Sequence, residues 1–368
     1  MQFLKLCALL WFSITVQAFS PVMTETSVKQ PAPMEDLQYL TTTSVRKEPG
    51  SGRYQKAWIV WSNLAIQHIR YDLSQNLPHP VDAESTEQLE FQLGSAADNG
   101  LMPSFADPGS RSGYALDFFS CRVRRLSDMI MFNCQQEVNL VKALIDALRE
   151  PGECHVTSIA GGPGYDYVGL CLVAAFLNNG KESGSCIRGT VFDYEVGWGD
   201  LVDCMDQSTN RIMQQLNNEG LSCTFGGGCD ITKSMDDPVN HACRDSIDST
   251  KIFVCQYCVA ENAVRLRESD YVFFRDLFDH ANDGSLFVLT ECTHRLWPAI
   301  VDLLGGGGFE VAFVKNRSWQ LLIQKRHGAD ISPEVRARCA SMREDDKLHT
   351  VKVKGGFVRQ SKKIRAAR

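Results

Sequence analysis

After its first eighteen residues, the chain has no uninterrupted run of 18 apolar residues, the length that a membrane-spanning helix requires. It also has no large excess of charge, since the formal net charge is −6 over 368 residues of which 44% are hydrophobic. This composition excludes a chain that is disordered throughout, and its acidic balance does not suggest a nucleic-acid binder. We therefore expect one large domain with an extension, or two modest domains, with no stable membrane association once an N-terminal signal is removed.

Acidic residues are missing from the last part of the chain. Residues 347–368 contain no Asp or Glu and eight of the 38 basic residues, so the preceding 346 residues hold 30 basic and 44 acidic residues, a formal charge of −14. We predict a basic C-terminal tail over 328–368. It either neutralises RNA phosphates through a salt-dependent contact or is a solvated extension.

The N-terminus has the layout of a signal peptide. Lys5 precedes an apolar stretch of about a dozen residues that ends at Val16-Gln17-Ala18, which predicts cleavage after residue 18. The alternative is an uncleaved anchor helix. Residues 19–52 are rich in Ser, Thr and Pro without periodicity, which predicts a linker or a transit peptide.

Ala18-Phe19-Ser20-Pro21 resembles the junction of two-part plastid presequences. That resemblance implies a plastid location, and secretion or the endomembrane lumen is the alternative.

Cysteines are numerous but spread along the chain, with 14 in total. Many lie in apolar runs, which is typical of packed thiols in a reducing compartment. Cys255-x-x-Cys258 has the spacing of a redox or zinc pair, but the chain has no second such pair. We interpret the two as packing thiols and predict no metal site.

Two patterns divide the body of the chain. Residues 53–150 predict a helical region, shown by the i, i+3, i+4 spacing of Val138, Val141 and Leu144. Residues 151–327 alternate short apolar strands with helices, which predicts an α/β fold with a parallel sheet. The last two strands, 309–314 and 319–324, are too close for a parallel crossover, so they should form an antiparallel hairpin.

A glycine-rich loop, residues 158–164, follows the first predicted strand of this region and opens its first helix. The loop lacks the third glycine of a dinucleotide site, and the Lys-Ser/Thr pair of a P-loop is also absent. A glycine turn without a ligand remains the alternative. Asp193 ends the next predicted strand, where its two carboxylate oxygens could accept from two neighbouring hydroxyls or could cap a helix.

Gly161-Gly162-Pro163-Gly164, the following Asp193 and the final hairpin together resemble the class I S-adenosylmethionine (SAM)-dependent methyltransferases. The closest likeness is to a eukaryotic branch that includes ribosomal-RNA uridine methyltransferases, with Ser158 starting its motif. The resemblance implies a Rossmann-like seven-stranded sheet and SAM as cofactor. It implies cofactor contacts from Ser158, Gly161, Gly162, Pro163, Gly164, Asp193, Tyr194, Asp230 and Ile231. Two positions depart from the wider class: Ser158 stands where an acid is usual, and Ala160 replaces a glycine.

The end of the fourth predicted strand corresponds to the part of the family that lines the methyl-transfer pocket. There we expect Gln256 to orient the acceptor and Glu261 to act as a base, or either to be structural. The predicted function is SAM-dependent methyl transfer, with RNA as the first acceptor considered. The alternatives are a small-molecule methyltransferase and a non-catalytic RNA-binding or assembly factor.

Overall fold

The computed structural model describes residues 28–44, 52–134, 138–178, 185–305 and 307–344. The predicted signal peptide over 1–18 and the basic run 347–368 lie outside these ranges. Within them, no helix is both long and apolar enough to cross a membrane.

The described part of the region before the sheet is mainly helical. Trp58 and Trp61 of this region are fully buried and pack against the ring of Phe176, with ring centroids 5.2 and 5.4 Å away. These contacts fix the region to the body of the protein. Its helices are α1 (Met34–Ser44), α2 (Gly52–Gln75), α3 (Ala83–Asn99), α4 (Pro108–Asp117), α5 (Phe119–Asn133) and α6 (Asn139–Arg149).

Part of the segment expected to be linker or transit peptide, 19–52, differs from that expectation. Helix α1 lies within it, and its Leu37 and Leu40 are 0% and 6% exposed. These two leucines are three residues apart on one face of the helix, so both reach the core. The Gln38 amide also donates to the Gln215 carbonyl at 3.1 Å. The polar composition of the segment conceals this short apolar face.

A seven-stranded sheet follows, with the order β3-β2-β1-β4-β5-β7-β6. Strands β1 to β5 pair in parallel, and β7 pairs antiparallel with both β5 and β6. The strands are β1 (Gly152–Ile159), β2 (Ser185–Asp193), β3 (Ser222–Gly228), β4 (Ile252–Gln256), β5 (Leu286–Thr290), β6 (Phe309–Asn316) and β7 (Ser318–Lys325). The connecting helices include α7 (Tyr165–Asn178), α8 (Gly199–Gln215), α9 (His241–Asp245), α10 (Ala263–Glu268), α11 (Val272–His280) and α12 (Trp297–Leu303).

The predicted antiparallel hairpin at the end of the sheet is confirmed. Only Arg317 separates β6 from β7, and its φ of 60° makes the tight reversal. The predicted seven-stranded, Rossmann-like sheet with a helical N-terminal region and a final antiparallel hairpin is therefore the fold of this protein.

Both faces of the sheet are covered. One face packs with α2 and α5 to α8, and the other packs with α11, α12 and a helical stretch over 333–344. In that last stretch Cys339 and Met342 are 3% and 1% exposed, and Arg343 forms an ion pair with Asp302. The segment predicted as a tail from 328 onward is thus packed on the sheet up to residue 344.

Candidate functional site

A cleft opens at the carboxyl ends of β1 and β4, where the chain order in the sheet reverses direction. Such switch points place ligands in the crevice beyond the strand ends. Nine of the eleven predicted site residues line this one cleft: Gly161, Gly162, Pro163, Asp193, Tyr194, Asp230, Ile231, Gln256 and Glu261. The other two, Ser158 and Gly164, support the loop from behind and do not line it.

The loop after β1 depends on left-handed backbone conformations. Ala160, Gly162 and Gly164 have φ of 51°, 53° and 90°. The Gly161 N–H donates to the Phe192 carbonyl at 3.2 Å, which ties the loop to β2. A Cβ at Gly161 would collide with the Ser158 hydroxyl, so the position needs glycine for close approach.

Asp193 ends β2 directly beneath this loop and is 4% exposed. Its two oxygens accept from the backbone N–H groups of Gly162 at 3.0 Å and Glu195 at 3.1 Å. Burial raises the pKa of the Asp193 carboxyl to about 6, although those two N–H groups oppose the shift. A carboxylate has about four lone-pair positions, so both oxygens can still accept from a ligand.

Asp166, in the first turn of α7, is a cleft residue that was not selected from the sequence. It is 2% exposed and accepts a very short hydrogen bond from the Ser158 hydroxyl. Burial raises the pKa of the Asp166 carboxyl to about 6. The nearby Ser158 hydroxyl and Gln256 amide act in the opposite direction and limit the rise. The signal was in the loop sequence, because Asp166 stands two residues after Gly164.

Asp230 and Ile231 follow β3 on the far side of the cleft. The Asp230 Oδ1 accepts from both the backbone N–H and the hydroxyl of Thr232, at 3.0 and 2.7 Å. Its other oxygen lies 3.6 Å from Arg265 Nη2. The Asp230 carboxylate therefore stabilises the turn that follows β3. The Ile231 side chain adds apolar surface to the cleft wall.

Gln256 ends β4 and is 9% exposed. Among the described residues, neither the oxygen nor the nitrogen of its amide has a hydrogen-bond partner. Buried amides are normally satisfied, so this side chain is available to a ligand in the cleft.

Glu261 faces Arg122, which reaches the cleft from α5. Arg122 Nη2 lies 3.6 Å from Glu261 Oε1, an ion pair longer than a hydrogen bond, and the Arg122 guanidinium stacks 3.5 Å from the Tyr257 ring centroid. Arg125 Nε donates to the Tyr257 hydroxyl at 2.6 Å. Burial raises the pKa of the Glu261 carboxyl to about 7, and Arg122 opposes the shift. Arg122 was not selected from the sequence, because nothing in its local sequence indicates its burial.

Glu291 follows β5 and is a second carboxyl that the sequence analysis missed. It is 1% exposed, and its Oε1 accepts from the Ala260 N–H at 2.9 Å. The other oxygen, Oε2, has no hydrogen-bond partner among the described residues. Burial raises the pKa of the Glu291 carboxyl to about 8, and the charge of Glu261 adds to the effect. Through its hydrogen bond with the Ala260 N–H, Glu291 therefore fixes the backbone next to Glu261.

The sulfur atoms of Cys255 and Cys258 lie against each other, although the sequence predicted separate packing thiols. That prediction assumed an extended strand, in which alternate side chains face opposite ways. The strand instead ends at Gln256, and Tyr257 has φ of 59°, which brings Cys255 and Cys258 to the same side. No group of three or more potential metal ligands occurs among the residues that the structure describes.

No protein-family model and no curated protein matches this chain. Similar solved structures include an O-methyltransferase family protein from Burkholderia thailandensis, 12% identical, with 80% of this chain and 94% of that chain covered and a TM-score of 0.37. Precorrin-6y C5,15-methyltransferase from Geobacter metallireducens is 11% identical, with 50% and 87% covered and a TM-score of 0.29. Human N-acetylserotonin methyltransferase in complex with SAM is 12% identical, with 65% and 66% covered and a TM-score of 0.27. Likenesses this distant carry no argument about function, which rests on the cleft itself, and the ribosomal-RNA branch stays a prediction.

Proposed function

We propose that this protein is a SAM-dependent methyltransferase. The observation that carries the proposal is the Asp193 carboxylate, buried beneath the glycine loop with free lone pairs on both oxygens. An acceptor-only group with two oxygens matches the two adjacent ribose hydroxyls of SAM.

The other cleft groups fit the rest of SAM. Asp166 offers a second carboxylate on the β1 side, suited to the ammonium of the methionine part. The loop keeps its backbone accessible because Gly161 and Gly162 present no Cβ to a ligand. Ile231 and Trp198 supply apolar surface for the adenine ring.

When bound, SAM supplies an activated methyl group, so the protein's contribution is chiefly alignment of the acceptor. Gln256 has an unsatisfied amide at the end of β4 and would orient the acceptor. Glu261 lies beyond it and would take up a proton. Both roles are those expected from the sequence.

Ligand-induced stabilisation tests the cofactor assignment. At 100 times its dissociation constant, SAM or its demethylated product S-adenosylhomocysteine (SAH) should stabilise the fold by about 2.7 kcal/mol, measured as a thermal shift. Asp193→Ala should abolish the shift, whereas the exposed Asp248→Asn, outside the cleft, should retain it. Absence of a shift with both ligands in the unaltered protein would refute the assignment. Methyl-transfer turnover then separates an enzyme from a non-catalytic assembly factor.

RNA is one candidate for the methyl acceptor, and the eight basic residues over 347–368 favour it. Deleting 347–368 should weaken RNA binding and flatten its salt dependence while SAM binding stays intact. If the RNA affinity were unchanged, residues 347–368 would not contribute to RNA binding. The cleft itself favours a compact acceptor, because Met102, Phe105 and Tyr114 of the N-terminal region contribute to its walls.

A further inference from the structure

The acceptor side of the cleft presents a carboxylate, Glu261, that is only partly paired. If SAM occupies the ends of β1 to β3 through Asp193, the wall beyond β1 is formed by Gln256, Tyr257 and Glu261 with Arg122 above them. The Arg122 side chain is only 8% exposed and stacks on Tyr257, so its guanidinium offers little to a ligand. Glu261 keeps 26% of its side chain exposed, and among the described residues its one ion pair is the 3.6 Å pair with Arg122.

We infer that the acceptor atom is an amine nitrogen whose N–H groups donate hydrogen bonds to the Glu261 carboxylate. This inference rests on the proposed function and narrows its substrate class. A carboxylate or phosphate acceptor would face Glu261 across a cleft that also holds Asp166 and Asp193, and the charges would repel it. An amine brings N–H donors for the Glu261 carboxylate, and its lone pair and N–H groups can also engage the Gln256 amide, which has no hydrogen-bond partner among the described residues.

The chemistry of transfer also suits a carboxylate at this place. Transfer forms the nitrogen–carbon bond from the nitrogen lone pair and breaks the methyl–sulfur bond, whose electron pair stays on sulfur. The positive charge passes from sulfur to nitrogen, and the Glu261 carboxylate removes one proton from that nitrogen. Atoms and charge balance without a further reactant, and the negative Glu261 stabilises the developing ammonium.

Glu291 is the positioning residue for this arrangement. Its Oε1 holds the N–H of Ala260 at 2.9 Å, which fixes the backbone one residue before Glu261. Arg122 approaches the same carboxylate from α5, so Glu261 is held from two directions.

Sinefungin provides a probe for the proposed amine site, because this SAM analogue carries an amine where SAM carries its methyl group. Titration calorimetry at pH 8 should show sinefungin binding the full chain more tightly than SAH, which has no group at that place. Glu261→Gln should reduce this preference about tenfold, since a charge-assisted hydrogen bond becomes a neutral one. Asp230→Asn, on the opposite side of the cleft, should change both affinities by the same factor.

The outcomes separate the two proposals. Retained SAH binding by Glu261→Gln shows that the variant is folded, and an unchanged sinefungin preference in it would overturn the amine assignment. Failure of the unaltered protein to bind either ligand would instead refute the proposed function, and the amine assignment with it.

Discussion

The Gly162 backbone N–H donates to the Asp193 carboxylate at 3.0 Å, joining the loop after β1 to the end of β2. The two strands are direct neighbours in the sheet, with Ile159 opposite Phe192, so this bond closes the corner of the cleft. The carboxylate is therefore already oriented before any ligand arrives. Because the carboxylate is ordered beforehand, its side chain loses little conformational entropy when a ligand binds.

Asp193 should also contribute to stability without ligand. Asp193→Asn keeps the shape but leaves one of the two buried N–H groups, of Gly162 or Glu195, facing an amide nitrogen. We expect a loss of about 1–3 kcal/mol in the free energy of unfolding, measured in urea without SAM. Asp248→Asn, at an exposed position, is the matched control and should lie within about 0.5 kcal/mol of the unaltered protein. Equal stabilities for the two variants would contradict the role given to this corner.

Gly161→Ala should disrupt the hydrogen bond between Ser158 and Asp166. The new Cβ would meet the Ser158 hydroxyl and would lie 3.0 Å from Val191 Cγ1. Overpacking of this kind costs about 1–3 kcal/mol, and the thermal shift with SAM should shrink as well. Gly199→Ala, whose Cβ would sit 3.5 Å from Phe225 in ordinary contact, provides the comparison. A Gly161→Ala protein as stable as Gly199→Ala would count against the packing described for the loop.

Ala160→Gly should stabilise the protein. Ala160 has φ of 51°, a left-handed conformation that costs a residue with a Cβ about 1 kcal/mol. Glycine removes that cost but adds freedom to the unfolded chain, so we expect a net gain of about 0.5 kcal/mol in chemical denaturation. A loss of stability would mean that the Ala160 methyl group packs more favourably than its backbone conformation is strained.

The Glu291 carboxyl should make stability depend on pH. Its pKa is raised to about 8 by burial, so the folded state holds a proton that the unfolded state releases above its ordinary pKa near 4.5. The stability of the unaltered protein relative to Glu291→Gln should therefore fall as pH rises from 5 to 8, by up to about 1.4 kcal/mol per pH unit. Urea denaturation of both proteins at several pH values measures this difference. Parallel curves would show that Glu291 does not hold a proton in the folded state.

The sequence was informative wherever a local pattern determined the structure. Strand–helix alternation was sufficient to predict the parallel sheet. The short connection around Arg317 was sufficient to predict its antiparallel end. Glycines and Asp193 could be located because strand ends in a parallel sheet meet at one edge.

The remaining site residues depend on contacts between distant parts of the chain. Arg122 and Glu291 look like ordinary charged residues in sequence, and only the tertiary structure brings them, from α5 and from the end of β5, to the surroundings of Glu261. Asp166 was within the glycine motif, but its hydrogen bond to Ser158 depends on how the first turn of α7 sits on β1. The contact between Cys255 and Cys258 was missed because one left-handed residue, Tyr257, overrides strand alternation.

The bond between Arg125 and Tyr257 joins residues 132 positions apart in the chain. At typical rates of synthesis, the ribosome needs roughly 7 to 26 seconds to make the intervening segment. During that interval α5 is complete while its arginines lack the aromatic ring and carboxylate that later receive them. These arginines therefore lack their later partners until the segment after β4 has been made, although α5 can already pack on α2 and α7. A chain interrupted before β4 should therefore leave the Arg122 and Arg125 guanidinium groups without the Tyr257 ring and hydroxyl that they contact in the complete protein.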